Sequence, residues 1–430
     1  MTEFKLKKGF LIGVASAATQ IEGGELEHSW QDWYRRGKIK DNSNPARAND
    51  HYARYQQDTL LMKEMGIEIY RLGIEWARIE PQKGVFDGAV IQRYCDEIKQ
   101  LQLQGIKVLV TLHHFTNPLW FENIGAFSKK ENISYFIKYI EVVLKAFGPE
   151  VAEYITINEP NVYTTFGYFF GEWPPGEKSL TKTIKVLSIL AAAHLQAYLK
   201  IHEIRKEMGF SDTKVSFANH LRVFIPKDSK KLKDRFFTKL LAKLFQQDIA
   251  VAMMKAKFPW YMKNILKLPQ GIYCDFIALN YYTRSCVSGM SDGVKENVAV
   301  NDLGWEIYPP GIIQCAQQLY DICQLPIYIT ENGTCDNHDS FRARYIYEHL
   351  KEISESSLPL ARYYHWCFCD NFEWLEGESA RFGIVHIDYD NQKRTIKNSG
   401  RFFSEIIANK EVTTSMYDKY VKDQEYPRND

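Results

Sequence analysis

Little in this chain is built to hold a charged polymer. Its 54 basic side chains are matched by 53 acidic ones, so the net charge is only +1. No field of one sign is available for nucleic acid or an anionic membrane. Metal and phosphate signatures are missing as well. There is no H-E-x-x-H, no Gly-rich phosphate loop and no C-x-x-C pair, so no metal and no cofactor is implied. The eight cysteines, at 95, 274, 286, 315, 323, 335, 367 and 369, are not needed as staples in a chain of 430 residues. They read as free thiols in a reducing compartment, with Cys367 and Cys369 pointing the same way from one strand. No Gly/Ser or Pro-rich linker, repeat or low-complexity tract interrupts the chain, which leaves one domain over residues 1–430. Long apolar runs are also lacking. Lys5, Lys7 and Lys8 followed by the apolar stretch 10–15 look like a short secretory signal, but the polar Gln20 and Glu22 come at once, so the stretch reads as a first buried strand. No other run approaches the ~20 residues that span a bilayer. The expectation is a soluble, cytoplasmic protein.

What the chain does have is apolar and aromatic surface: 45% of residues are hydrophobic and 14% aromatic. Short β-rich runs at 10–17, 67–75, 106–113, 154–159, 215–219, 274–281, 326–330 and 361–369 alternate with helical patterns. The helical period is clearest at Ile133, Phe136, Ile137, Ile140, Val143, Leu144 and Phe147. Strand–helix alternation calls for a parallel sheet, and eight such units close into an α/β (β/α)8 barrel. The excess over ~250 residues is expected in long insertions at 18–66, 160–214 and 220–273. The basic segment 227–243 reads as a solvated helix on the barrel's outside.

Barrel chemistry sits at the strand C-termini. Those ends carry Gln20 and Glu22, Glu75-Trp76, His113-His114-Phe115, Asn158-Glu159, Asn219-His220, Asn280-Tyr281-Tyr282, Glu331-Asn332 and Asp370 to Trp374. Polar groups and aromatics at every end are the profile of a sugar pocket, since aromatic faces stack on the C–H surfaces of sugars. Glu159 and Glu331 each follow a buried apolar run. Either alone could be a salt-bridged or capping carboxylate. As a pair across one barrel mouth they suit cleavage of a glycosidic bond, with retention at a separation of ~5–5.5 Å and inversion at ~6.5–9.5 Å.

These stretches resemble glycoside hydrolase family 1, the β-glucosidase and β-galactosidase group, over nearly the whole chain. The matches are Thr156-Ile157-Asn158-Glu159-Pro160, Ile329-Thr330-Glu331-Asn332-Gly333, Ala18-Thr19-Gln20-Ile21-Glu22-Gly23, Tyr70-Arg71-Leu72, Ala278-Leu279-Asn280-Tyr281-Tyr282 and Asp370-Asn371-Phe372-Glu373-Trp374. Six of them in order, at predicted strand ends, are specific where any one is weak. The resemblance implies a retaining enzyme in which Glu331 attacks the anomeric carbon and Glu159 is the acid/base. Arg71 would keep Glu331 ionised by charge and Tyr282 by a hydrogen bond. Glu159 would rest protonated beside that charge. The resemblance further assigns the non-reducing sugar to Gln20, His114, Asn158, Glu373 and Trp374, with Trp366 as platform and with Phe115 and Phe382 nearby. Trp173 and Trp305 would wall the aglycone side. Of the adjacent histidines one is structural, because neighbours on a strand face opposite ways.

Four departures from the family pattern bear on specificity. Phe115 stands where Trp is usual, Gly125-Ala126-Phe127 replaces a Gly-Gly-Trp, and Glu378 stands in place of Tyr at the 6-hydroxyl end. Trp173-Pro174-Pro175 narrows the leaving-group side. The implied substrate is a small β-glycoside or oligosaccharide with a terminal glucose, galactose or fucose. A 6-phospho-β-glycosidase is the near rival, opposed by Glu373, Ala380 and Phe382, which offer a phosphate no donor. A non-catalytic sugar-binding relative is the other rival, opposed by the presence of both carboxylates.

Overall fold

The computed structural model describes residues 2–429. Eight strands form one sheet: β1 Leu11–Ala15, β2 Ile69–Gly73, β3 Lys107–Thr111, β4 Glu153–Asn158, β5 Lys214–Pro226, β6 Ile277–Ser288, β7 Ile327–Asn332 and β8 Leu360–Trp366. Every neighbouring pair is parallel, β1 joins β8, and β5 pairs with β6 to close the ring. The expected (β/α)8 barrel is therefore the fold. Six of the strands are short, largely buried runs such as Val108-Leu109-Val110, which suits a sheet covered on both faces.

The principal covering helices are α1 His51–Glu64, α2 Gly88–Leu103, α3 Ile133–Phe147, α4 Leu180–Glu207, α5 Leu232–Ala242, α6 Asp248–Lys255, α7 Gly311–Ile322, α8 Arg342–Glu355 and α9 Asn398–Asn409. The stripe read in the sequence from Ile133 to Phe147 is wholly buried in α3. Asp87 caps α2, its carboxylate accepting from the Ala89 and Val90 amides.

Three expectations change. Helix α4, 28 residues long, is apolar enough by length and composition to cross a membrane, although no such run stood out in the sequence; most of its apolar window is buried inside the protein, against α3. Cys367 and Cys369 do not lie on one strand, because β8 stops at Trp366; Cys367 instead turns its thiol to the Cys369 carbonyl at 2.9 Å. All eight cysteines are free and buried. Finally, β5 and β6 outrun the barrel and stay paired to Pro226 and Val287, with a short antiparallel arm Ser291–Gly293 alongside β6. Helix α5, expected as a solvated helix on the barrel's outside, is largely exposed and packs one side on this ribbon, where buried Asp234 accepts from the Gly289 amide at 2.9 Å. Leu232 and Phe236 remain exposed on it.

Candidate active site

The C-terminal ends of the strands open into a cavity of about 1030 Å³ that both Glu159 and Glu331 line. Glu159 is placed by backbone. It is the residue after β4, in the left-handed region at φ 42°, and Pro160 opens a short helix directly behind it. A side chain other than glycine is rarely held at such a φ, and where it is, a functional constraint is usual. Its amide donates to the Ala218 carbonyl on β5 at 2.8 Å, which pins the turn.

Glu331 is placed by its partners. Arg71, fully buried on β2, donates from Nη1 to Glu331 Oε1 at 2.5 Å and from Nη2 to Asn158 Oδ1 at 2.7 Å. Its Nε donates to Thr111 Oγ1 at 2.9 Å, so the guanidinium is locked from three sides. The Tyr282 hydroxyl donates to Glu331 Oε2 at 2.6 Å. Both oxygens of Glu331 thus receive donors, one of them a cation, as suits an anion. Burial nonetheless pushes the Glu331 carboxyl up to about 7; Arg71 and Tyr282 work against that rise and the charge on Glu159 adds to it.

The donors to Glu159 differ. Asn280 Nδ2 lies 2.8 Å from its Oε1 and His220 Nδ1 3.2 Å from the same oxygen. The sequence reading placed Asn280 and His220 at strand ends without giving either a role. The signal was a polar residue where a buried strand meets the mouth; their convergence on one oxygen is a tertiary fact.

The residues expected at the sugar divide. Glu373, His114, Phe115, Trp366, Trp374 and Phe382 line the cavity, as do Trp173 and Trp305. His114 stacks between Trp366 and Trp374, with centroids at 5.7 and 5.8 Å. Burial holds His114 well below the ordinary imidazole range, so it is neutral. His113 is turned away, its Nε2 2.9 Å from Asn117 Oδ1. Gln20 and Asn158 are not in the wall. Gln20 is fully buried and donates to Glu373 Oε2 at 3.0 Å, while Asn158 spends its oxygen on Arg71 and Asn280 and its amide on His114. Gln20 Oε1 and His114 Nδ1 are buried without a partner among the described residues. Burial also raises Glu373 to about 8, opposed by the Trp366 indole and Gln20 and reinforced by Glu331.

Of the departures, Glu378 does not reach the cavity: it forms an ion pair with Arg47 and its amide donates to Asp41 Oδ2 at 2.7 Å. The residue was expected at the 6-hydroxyl end, but it is buried against that arginine and the Asp41 loop. Phe127 is buried against Phe121 and Phe136 and fills core. Trp173 and Pro175 do face the cavity. No cluster of metal-ligating side chains occurs among the described residues.

Comparison with known proteins bears on what this arrangement does. The model of glycosyl hydrolase family 1 matches residues 2–412. Beta-glucosidase A of Acetivibrio thermocellus is 32% identical over 457 residues, covering 95% of this chain and 99% of that protein. Beta-glucosidase A of Thermotoga maritima is 30% identical, covering 94% and 98%. Among solved structures, the beta-glycosidase from Pyrococcus horikoshii superposes with a TM-score of 0.87 at 32% identity, over 97% of this chain and 98% of that one. The Thermotoga maritima beta-glucosidase in complex with glucoimidazole gives 0.87 at 28% identity, over 94% and 99%.

Proposed function

This chain belongs to glycosyl hydrolase family 1 and is a glycoside hydrolase, and from that premise we propose that it is a retaining β-glucosidase, working by double displacement on a small β-glucoside or oligosaccharide. Glu331 is the nucleophile and Glu159 the acid/base. Glu331 bonds to the anomeric carbon as the glycosidic C–O bond breaks and Glu159 gives its proton to the leaving oxygen. In the second half, Glu159 takes a proton from water as that water's oxygen displaces Glu331. Two carboxyls whose ionisations interact titrate as a pair, and the Arg71 and Tyr282 contacts favour negative charge on Glu331. When the glycosyl–enzyme forms, that charge disappears, which frees Glu159 to serve as base.

The observation that carries this reading is the unequal pairing of two carboxylates in one cavity, Glu331 held by a guanidinium and a phenol, Glu159 by an amide and an imidazole. The test is azide rescue. Glu331→Gly should abolish turnover and, with azide, yield the α-glycosyl azide; Glu159→Ala should turn over activated aryl glucosides with azide to the β-azide. Normal activity of Glu331→Gly overturns the assignment.

The sugar we assign is an unmodified hexose, glucose first, with galactose and fucose as further candidates. Support comes from Glu373 and its partner Gln20 in the place where a phosphate would need cations. Hydrolysis of nitrophenyl β-glucoside against its galacto, fuco and 6-phospho counterparts decides among them. Eight unpaired, buried thiols favour a reducing compartment, which fits the cytoplasm.

A further inference from the structure

His220 and Arg222 stand on the part of β5 that leads out of the barrel. The His220 ring is buried, parallel to the Tyr282 ring with centroids 6.0 Å apart, and edge-on to Phe245. Its Nδ1 is 3.2 Å from Glu159 Oε1. Its Nε2 faces the Arg222 guanidinium, whose Nη2 and Nε lie at 3.3 and 3.4 Å. A guanidinium has only donors, so Nε2 must offer its lone pair. A neutral imidazole has one N–H, which therefore sits on Nδ1 and points at Glu159. Burial lowers the ring below the ordinary histidine range, with Glu159 opposing and Arg222 adding, so the neutral form is the resting one.

Arg222 is itself held. Gln246, from the helical turn Lys243–Gln247 that follows α5, accepts from the Arg222 amide at 3.0 Å and donates to its carbonyl at 3.1 Å. The guanidinium also reaches Ser285 Oγ at 3.2 Å on β6. The insertion carrying the basic helix thus braces the residue that sets the tautomer.

We propose that His220, fixed as its Nδ1–H tautomer by Arg222, is a positioning residue that stabilises the carboxylate Glu159 becomes on protonating the leaving oxygen. This rests on the reading of Glu159 as acid/base. A donor to a carboxyl strengthens as the carboxyl ionises, so the His220 contact gains most in the step that makes the anion. The titratable and charged groups facing the ring are Glu159 beyond β4, Arg222 on β5 and Tyr282 on β6; Asp292 lies past Arg222 at 3.5 Å.

The test separates substrates by their need for a proton. His220→Ala should lower kcat/KM for cellobiose about ten-fold, the weight of one charge-assisted hydrogen bond. The 2,4-dinitrophenyl β-glucoside, whose phenol leaves unprotonated, should change by less than about two-fold. The alkaline limb of the cellobiose profile should move to higher pH, since a lost donor lets Glu159 keep its proton longer. His220→Asn, with an amide nitrogen near the place of Nδ1, should recover most of the activity, and Arg222→Met should show the same substrate split. Equal losses on both substrates, an unmoved alkaline limb, or no loss at all would overturn the proposal, and Arg222→Met decides if His220→Ala does not fold. Failure of Glu159→Ala to form the β-azide would instead overturn the acid/base reading, independently of His220.

Discussion

At the residue scale the decisive quantity is the ionisation of Glu331. As the proposed nucleophile it must be an anion, and burial holds it up to about 7, so the free enzyme should lose kcat/KM as pH falls through that value. Tyr282 donates to the anion and lowers the carboxyl, so Tyr282→Phe should move the acid limb to higher pH and reduce kcat/KM by about 10- to 100-fold. An unmoved acid limb in Tyr282→Phe would mean that Glu331 is not the titrating group. Glu373 is raised to about 8 and is joined to Gln20. Glu373→Ala should cost kcat/KM about 100-fold, the weight of one or two strong hydrogen bonds, while the melting temperature stays within a few degrees.

At the element scale the geometry depends on how closely β7 and β8 approach. Gly333 follows the end of β7, two residues after Glu331, and a Cβ there would fall 1.8 Å from the Trp366 carbonyl oxygen at the end of β8. Only glycine lets the backbones meet at that point. Gly333→Ala must push the strand ends apart, at about 1–3 kcal/mol of stability. Glu331 and Trp366 would move with them, so the loss of kcat should exceed what the fall in melting temperature accounts for, on the order of 100-fold. Equal kcat at full stability would show that the approach is not needed. The ribbon formed by β5 and β6 is the other element that matters, since it holds Arg222 next to His220. Its length was not legible in the sequence. The polar Asn219, His220 and Arg222 interrupt the apolar residues, so the pattern that marks a barrel strand breaks off before Val223-Phe224-Ile225, and from Arg222 to Pro226 the residues are mostly half-buried.

At the scale of the whole molecule, a buried charge network joins the β1 insertion to α2 and to the hairpin before α9. His51 lies 2.8 Å from both Asp58 and Glu97, and Arg394 donates to Asp58 at 2.8 Å. Burial opposes the charge on His51, but Glu97 and Asp58 outweigh it and push the imidazole up to about 9. A pKa raised on folding stabilises fully below the unfolded value near 6.5 and is lost as pH rises through the folded one. Stability should therefore fall between about pH 6.5 and 9, by on the order of 3 kcal/mol, in urea unfolding followed at several pH values. His51→Gln should flatten that slope; an unchanged slope would assign it elsewhere. The sequence alone determined the eight strands, their order and the two carboxylates at the ends of β4 and β7, because apolar period and strand-end chemistry are local and the barrel puts every strand end on one face. Only the tertiary structure decided who meets whom. It placed Gln20 and Asn158 out of the cavity wall, drew Glu378 to Arg47, and brought His220 and Asn280 onto one oxygen of Glu159. Such contacts depend on distances between side chains far apart in the chain, and nothing in residue type or spacing records those distances.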